Sequence, residues 1–436
     1  MKRYWRQWER SIKSWGLSLS CILFLSLGLL ACSRPQTPAA TAEEPIRLTF
    51  WHGVNPASNR DVLQSLIDRF NQTHPKIQVE QLYVGQADQQ LPKLFASAVG
   101  NALPDMLWYA PMLTGQLVEL DVLKPLDEAL RSMPEAQDID PALRESMTLE
   151  GKTWSVPFDT NNVGIYYRPS LFKAAGITKL PETWEEFQAI AATLTRDLDQ
   201  NGTIDQRGIL LPLGKGEWSV FTWLPFLWSA GGEINPPLKL QSESAIAALN
   251  FWKSLLKDGS AILSQPERGY EMTGFIAGKI AMQISGPWTL GELQKSGVDF
   301  AAFPIPKQMK SATSIGGENL FIFKSNPARE AAAIEFARTV ISEDFQTAWG
   351  IQTGYLPINL KSRESTAYRE FRSKQPVVDT FLKQAQYGRS RPISPGYSRI
   401  SDAIGRAIES VLLDRSDAKT ALSDAQKRLD LIFASS

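Results

Sequence analysis

Apolar positions along this chain follow two alternating patterns, one near every second residue and one at intervals of three and four. Ile46 to Trp51 reads as a short strand, and Asn59 to Asn71 then sets Val62, Leu63, Leu66, Ile67 and Phe70 on one helix face. Lys76 to Val84 returns to a strand pattern, Leu91 to Val99 to a helical one, and Asp105 to Tyr109 to a third strand. Strands separated by helices pair in parallel through right-handed crossovers, so the pattern predicts an α/β fold. Pro181 to Asp197, Glu243 to Asp258, Ala328 to Ser342, Ser401 to Leu413 and Ala418 to Phe433 carry the helical period. In the first of these, Thr183 and Glu186 have capping-box spacing.

Ahead of the first strand the pattern changes. Lys2, Arg3, Arg6, Arg10 and Lys13 stand against one acid, Glu9, and an apolar run extends from Leu17 to Ala31. That is the layout of an export signal, and the run is shorter than the ~20 apolar residues that span a bilayer. Its end, Leu29-Leu30-Ala31-Cys32, resembles the bacterial lipobox. The resemblance implies cleavage before Cys32 and lipidation of its sulfur; the alternative is an ordinary signal with a chance cysteine. Residues 1–31 are thus expected to be a lipoprotein signal peptide. Residues 32–44, rich in Pro, Ala and Thr, are expected to be a flexible tether. Cys21 and Cys32 are the only cysteines, so no disulfide is available to the processed chain. The 46 basic and 46 acidic residues balance, and losing the signal leaves a mild acidic excess, which favours neither nucleic acid nor an anionic surface.

Six segments, in order, resemble the maltose-binding-like family of solute-binding proteins of ABC transporters, and together they span essentially all of the processed chain. They are LTFWHGVNPASNRDVLQSLIDRFNQTHPKIQVE, NALPDMLWYAP, WSVPFDTNNVGIYYRPSLFKAAGI, LPETWEEFQAIAATL, FIAGKIAMQISGPW, and the pair IGGENLFIF and WGIQTGYLPIN. Arg168 stands where the family pattern has Asn. The resemblance implies a two-lobe type II periplasmic-binding-protein fold with hinge crossings and an interlobe cleft. The first lobe is expected at 45–158 plus 300–343 and the second at 164–298 plus 350–436. It further implies a monomeric substrate-binding lipoprotein on the periplasmic or extracellular face, delivering a sugar or glycoside to ABC permease subunits. The FWHGV and YVGQ runs resemble the branch that binds glycerol 3-phosphate and its diesters. However, Ala87 and Pro111 stand where that branch has a tyrosine and a glutamate, so the phosphate ligand is the second reading.

A sugar ring presents an apolar C–H face and a rim of hydroxyls, so a binder needs flat aromatic area and in-plane polar groups. Ten tryptophans follow the signal. Trp184 and Trp252 sit within amphipathic helices and are assigned to the core, whereas Trp51 and Trp108 end strands where a cleft opens. His52 and Asn55 adjoin the first of these. Trp223, preferred to Trp228, and Trp288 are the second-lobe candidates. Asp159, Thr160 and Asn161 in the first crossing, Gly316, Gly317 and Glu318, which combine a backbone open to close approach with a carboxylate acceptor, and Tyr355, Tyr397 and Arg399 in late loops complete the set; turn chemistry is the plain alternative for the Asp and Asn. Asp197, Asp199, Asn201, Thr203 and Asp205 follow the order of a calcium loop, with Gly208 where the bidentate Glu belongs. A structural calcium is therefore possible there, and no other cofactor is expected. No G-x-S-x-G elbow, H-E-x-x-H helix or Walker loop occurs. An exported glycan hydrolase and a ligand sensor are the competing classes, and the chain is read as a binder and not an enzyme.

Overall fold

The computed structural model describes residues 44–434, apart from 235–237 and 266–270. The expected signal peptide, Cys32 and all of the tether but Glu44 lie outside the described residues. Two five-stranded sheets organise the remainder. The first runs in the order Ile77–Tyr83, Ile46–His52, Met106–Tyr109, Asn319–Ile322, Ser155–Pro157. Its first three strands are parallel, as the alternating pattern predicts. Asn319–Ile322 lies antiparallel to both neighbours because the chain re-enters this sheet from the other lobe. This strand sits between Met106–Tyr109 and Ser155–Pro157, so the sheet is continuous only through a segment that comes far later in the chain.

The second sheet runs Ala261–Leu263, Arg207–Leu211, Ile280–Ser285, Gly164–Tyr167, Ala301–Phe303, and is likewise mixed. Between the two, the short strands Asn161–Asn162, Thr313–Gly316 and Gly388–Arg389 make a small sheet of their own. Thr160 pairs with Leu356 beside it. Two crossings between the lobes are therefore bound directly to each other. Residues 300–312 were expected in the first lobe, yet Ala301–Phe303 pairs with Gly164–Tyr167 and Phe303, Ile305 and Ala312 join the second core. Residues 350–358 were expected in the second lobe, yet Tyr355 and Ile358 pack with Trp349 under the first sheet. The physical reason is the helix Glu343–Thr353, which buries Phe345 and Trp349 in that core.

The helix Glu217–Ser229 anchors the second lobe. Every residue from Ser219 to Ser229 is buried, as befits a helix apolar all round. Trp184 stacks on Phe251 with ring centroids 4.5 Å apart, and Trp252 meets Phe226 edge-on, so both tryptophans assigned to the core are in it. The capping box at Thr183 and Glu186 is formed.

Candidate functional site

A cavity of about 130 Å3 lies where the two lobes and the paired crossings meet. Gly53 and Asn55, just beyond the first strand, form one side of it, with Gln86, Asp88 and Gln90 at the start of the helix Ala87–Val99 and Trp108 and Tyr109 at the end of the third strand. Gly53 lets these elements converge, because a Cβ there would stand 1.9 Å from the Gln90 amide nitrogen and 2.6 Å from the Gly85 carbonyl. The crossings contribute Asn161, Gly316, Gly317 and Glu318. Glu217, Trp218 and Phe221, one helix face, line it from the second lobe, and Trp288, Tyr355 and Arg391 complete the lining.

Aromatic rings form a nearly continuous wall. Trp218 meets Trp288 edge-on at 6.0 Å, and Trp288 lies 6.4 Å from Tyr355. Also in the lining, Trp108 donates its indole N–H to Asp159 Oδ2 at 3.3 Å, which fixes the ring plane. Asp159 Oδ1 accepts the Glu318 backbone N–H at 3.1 Å. Burial raises the Asp159 carboxyl to about 7, against the pull of those hydrogen bonds. Gly317 holds the turn between them at φ 111°, and a Cβ there would approach the Asp159 carbonyl oxygen to 2.3 Å.

The charges are lopsided. Asp88, Glu217 and Glu318 line the cavity, and Arg391 is the only cation among the described lining residues. Arg391 Nη1 is bound to Glu217 Oε1 at 2.6 Å. Burial first, and then the carboxylates of Glu217, Asp88 and Glu318, hold the Tyr109 hydroxyl far above its ordinary pKa.

Of the residues singled out from sequence, Asn55, Trp108, Asn161, Trp288, Gly316, Gly317, Glu318 and Tyr355 reach the cavity. Asp159 and Thr160 lie just behind it; the Thr160 hydroxyl donates to the Gly316 carbonyl at 3.2 Å and ties the crossings together. Tyr397 is buried and donates to Glu217 Oε1 at 2.8 Å. Four others are turned elsewhere. Trp223 is wholly buried in the second core because it occupies the helix face opposite Glu217 and Phe221. Trp51 packs in a satellite cluster of the first lobe. Burial drives the His52 ring down to about 4; it is bonded to Gln81, and its Nδ1 accepts the Val54 N–H at 3.2 Å. Arg399 is exposed and outside the lining. Sequence reasoning missed Gln86, Asp88, Gln90, Tyr109, Glu217, Trp218, Phe221 and Arg391. The spacing of 217, 218 and 221 was a usable signal, and Arg391 stands in the arginine-rich stretch 389–399; nothing local marks Gln90.

In the loop 197–205, carboxylate oxygens of Asp197, Asp199 and Asp205 lie within 4.8 Å of one another. The Asn201 and Gly202 amides donate to Asp197, and Thr203 N–H to Asn201. Gly208 cannot be the missing Glu, because a Cβ there would sit 2.2 Å from the Ala191 carbonyl.

Residues 65–371 match the family of bacterial extracellular solute-binding proteins. The sn-glycerol-3-phosphate-binding periplasmic protein UgpB of Brucella melitensis is 24% identical over 406 residues, covering 87% of this chain and 92% of that one. Among solved structures, an ABC transporter solute-binding protein of Thermotoga lettingae bound to α-D-tagatose superposes with TM-score 0.80 at 22% identity, covering 89% of this chain and 99% of the other. The cyclic α-maltosyl-1,6-maltose-binding protein of Arthrobacter globiformis gives 0.72 at 25% identity, covering 90% and 100%.

Proposed function

Since the chain belongs to the bacterial extracellular solute-binding proteins, with their two-lobe fold, we propose that it captures a neutral sugar or glycoside in the interlobe cavity and delivers it to the permease of an ABC importer. The observation that carries this reading is the pairing of an aromatic wall with acceptor groups. Trp108, Trp288 and Tyr355 offer flat area for C–H faces, and Asp88, Glu217 and Glu318 offer oxygens for hydroxyls. The cavity has room for roughly ten water-sized groups, about the scale of one hexose.

The relative that binds sn-glycerol 3-phosphate favours an anionic ligand as the second reading. A phosphate needs convergent cations or N–H groups, and here three carboxylates line the cavity with one guanidinium, already bound to Glu217. The relatives are binding proteins, and this chain acts as a binder without turning its ligand over.

A thermal-shift screen of the chain from residue 33 tests this against mono- and disaccharides, glucosylglycerol, glycerol 3-phosphate and glycerophosphodiesters. A true ligand at 100 times its Kd adds roughly 2.7 kcal/mol. A response to phosphate esters alone overturns the ranking, and conversion of a responding saccharide to product overturns the binder. Two finer elements rest on the sequence. Lipidation at Cys32 holds the protein at the cell surface, and Cys32→Ser should release it into the soluble fraction. A structural calcium occupies the 197–205 loop.

A further inference from the structure

The strongest anion-binding arrangement in the cavity is already filled by the chain itself. The Glu217 carboxylate sits at the N-terminus of the thirteen-residue helix Glu217–Ser229, where a negative charge is favoured. Its Oε1 receives Arg391 Nη1 at 2.6 Å and the Tyr397 hydroxyl at 2.8 Å, and its Oε2 receives the Ser401 hydroxyl. Tyr397 and Ser401 are one turn apart on the helix Tyr397–Leu412, so both hydroxyls aim at one point.

Arg391 is buried between the Glu217 carboxylate and the Phe221 ring. It is 7% exposed, its guanidinium carbon lies 4.3 Å over the Phe221 ring, and its Nε has no hydrogen-bond partner among the described residues. A buried guanidinium, two convergent hydroxyls and a helix N-terminus are the components that recognise a phosphoryl group. A carboxylate from the same chain occupies them.

We infer that Glu217 is the specificity-determining residue of this cleft: it acts as a built-in anion that satisfies Arg391, Tyr397 and Ser401, and so restricts the cleft to uncharged polyhydroxy ligands. This rests on the sugar-binding reading, and it makes a claim that reading does not. The means of binding phosphate is present in this chain and is shut by one side chain. Removing the carboxylate leaves a cation at the cavity wall and, around the vacated seat, two hydroxyl donors and the helix N-terminus.

The test compares wild type, Glu217→Ala, which vacates the seat, and Glu217→Gln, which keeps its shape and removes its charge. Binding of glycerol 3-phosphate and of inorganic phosphate is measured by calorimetry, alongside the saccharide screen on wild type. Glu217→Ala should bind glycerol 3-phosphate at least tenfold more tightly than wild type, and Glu217→Gln should gain less. The gain should shrink as salt is raised and vanish in the double variant Glu217→Ala with Arg391→Gln. If both single variants melt cooperatively and bind glycerol 3-phosphate no better than wild type, the inference is wrong. Should Glu217→Ala prove unfolded, the Gln variant alone decides, because it leaves the packing unchanged. A wild type that responds to no saccharide defeats the sugar reading independently of the variants, whereas a wild type that already binds glycerol 3-phosphate tightly defeats both.

Discussion

Asp159→Asn has a consequence that can be worked through in sign and size. Burial lifts the Asp159 carboxyl from 3.8 to about 7, against hydrogen bonds from Glu318 and Trp108. An acid that holds its proton more tightly when folded confers stability that is complete below pH 3.8, declines as pH rises, and is lost above about pH 7. A tenfold change in proton affinity is worth ~1.4 kcal/mol, so wild type gives up roughly 4 kcal/mol across that window. Asn cannot ionise, but one of its two terminal atoms is a donor. Either the Glu318 amide or the Trp108 indole therefore loses its acceptor, at a cost of about 1 kcal/mol. The variant should be about 1 kcal/mol less stable than wild type near pH 4 and about 3 kcal/mol more stable at pH 8.

His52 gives this experiment a further signature. Burial, countered by the Gln81 bond and reinforced by Arg60, lowers its ring from 6.5 to about 4. Its contribution is therefore full above pH 6.5 and falls, by roughly 3 kcal/mol, as pH drops to 4. Over that range the two groups oppose each other and flatten the wild-type curve; with Asp159 removed, stability should rise visibly with pH. Urea unfolding followed by tryptophan fluorescence between pH 4 and 8.5 measures both. A stability difference between variant and wild type that stays constant with pH would falsify the account.

Three other outcomes are expected. Gly317→Ala should cost at least ~2 kcal/mol and weaken ligand binding, because its positive φ and the 2.3 Å approach to Asp159 leave no room for a methyl group; melting curves and calorimetry check this. Trp288→Ala should lower saccharide affinity by roughly ten- to a hundredfold. Trp223→Phe should instead cost under about 2 kcal/mol of stability, since it also removes a buried N–H without an acceptor, and should change affinity less than twofold; an affinity loss there contradicts the placement of its ring in the core. If calcium resides in the 197–205 loop, millimolar calcium should raise the melting temperature, chelator should reverse it, and Asp197→Ala should abolish the response; no shift removes the ion from the description.

The architecture was legible in the sequence wherever a local period existed. The first three strands and the helices between them, the capping box at Thr183 and the late helices all declare themselves through apolar spacing. The antiparallel entry of Asn319–Ile322 between Met106–Tyr109 and Ser155–Pro157 was not legible, because strand order depends on partners more than 150 residues away. In the site, residues at strand ends and crossings could be foreseen, since clefts form there. Trp223 was misread because a helix apolar on every side gives no clue to which face meets solvent. Arg391 was hidden for another reason: its role comes from Glu217, 174 residues earlier. His52 was singled out for its place beside Trp51 at a strand end, and its burial reveals a structural part.

The late insertion of Asn319–Ile322 bears on how this molecule comes into being. A chain that emerges from a ribosome or an export channel N-terminus first presents residues 46–157 long before the strand that must bridge them. Until residue 322 has followed, Met106–Tyr109 and Ser155–Pro157 each keep an unpaired edge. The first lobe cannot mature on its own and must wait for most of the second to be delivered. Truncation anywhere before that strand is therefore expected to leave the first sheet split between Met106–Tyr109 and Ser155–Pro157.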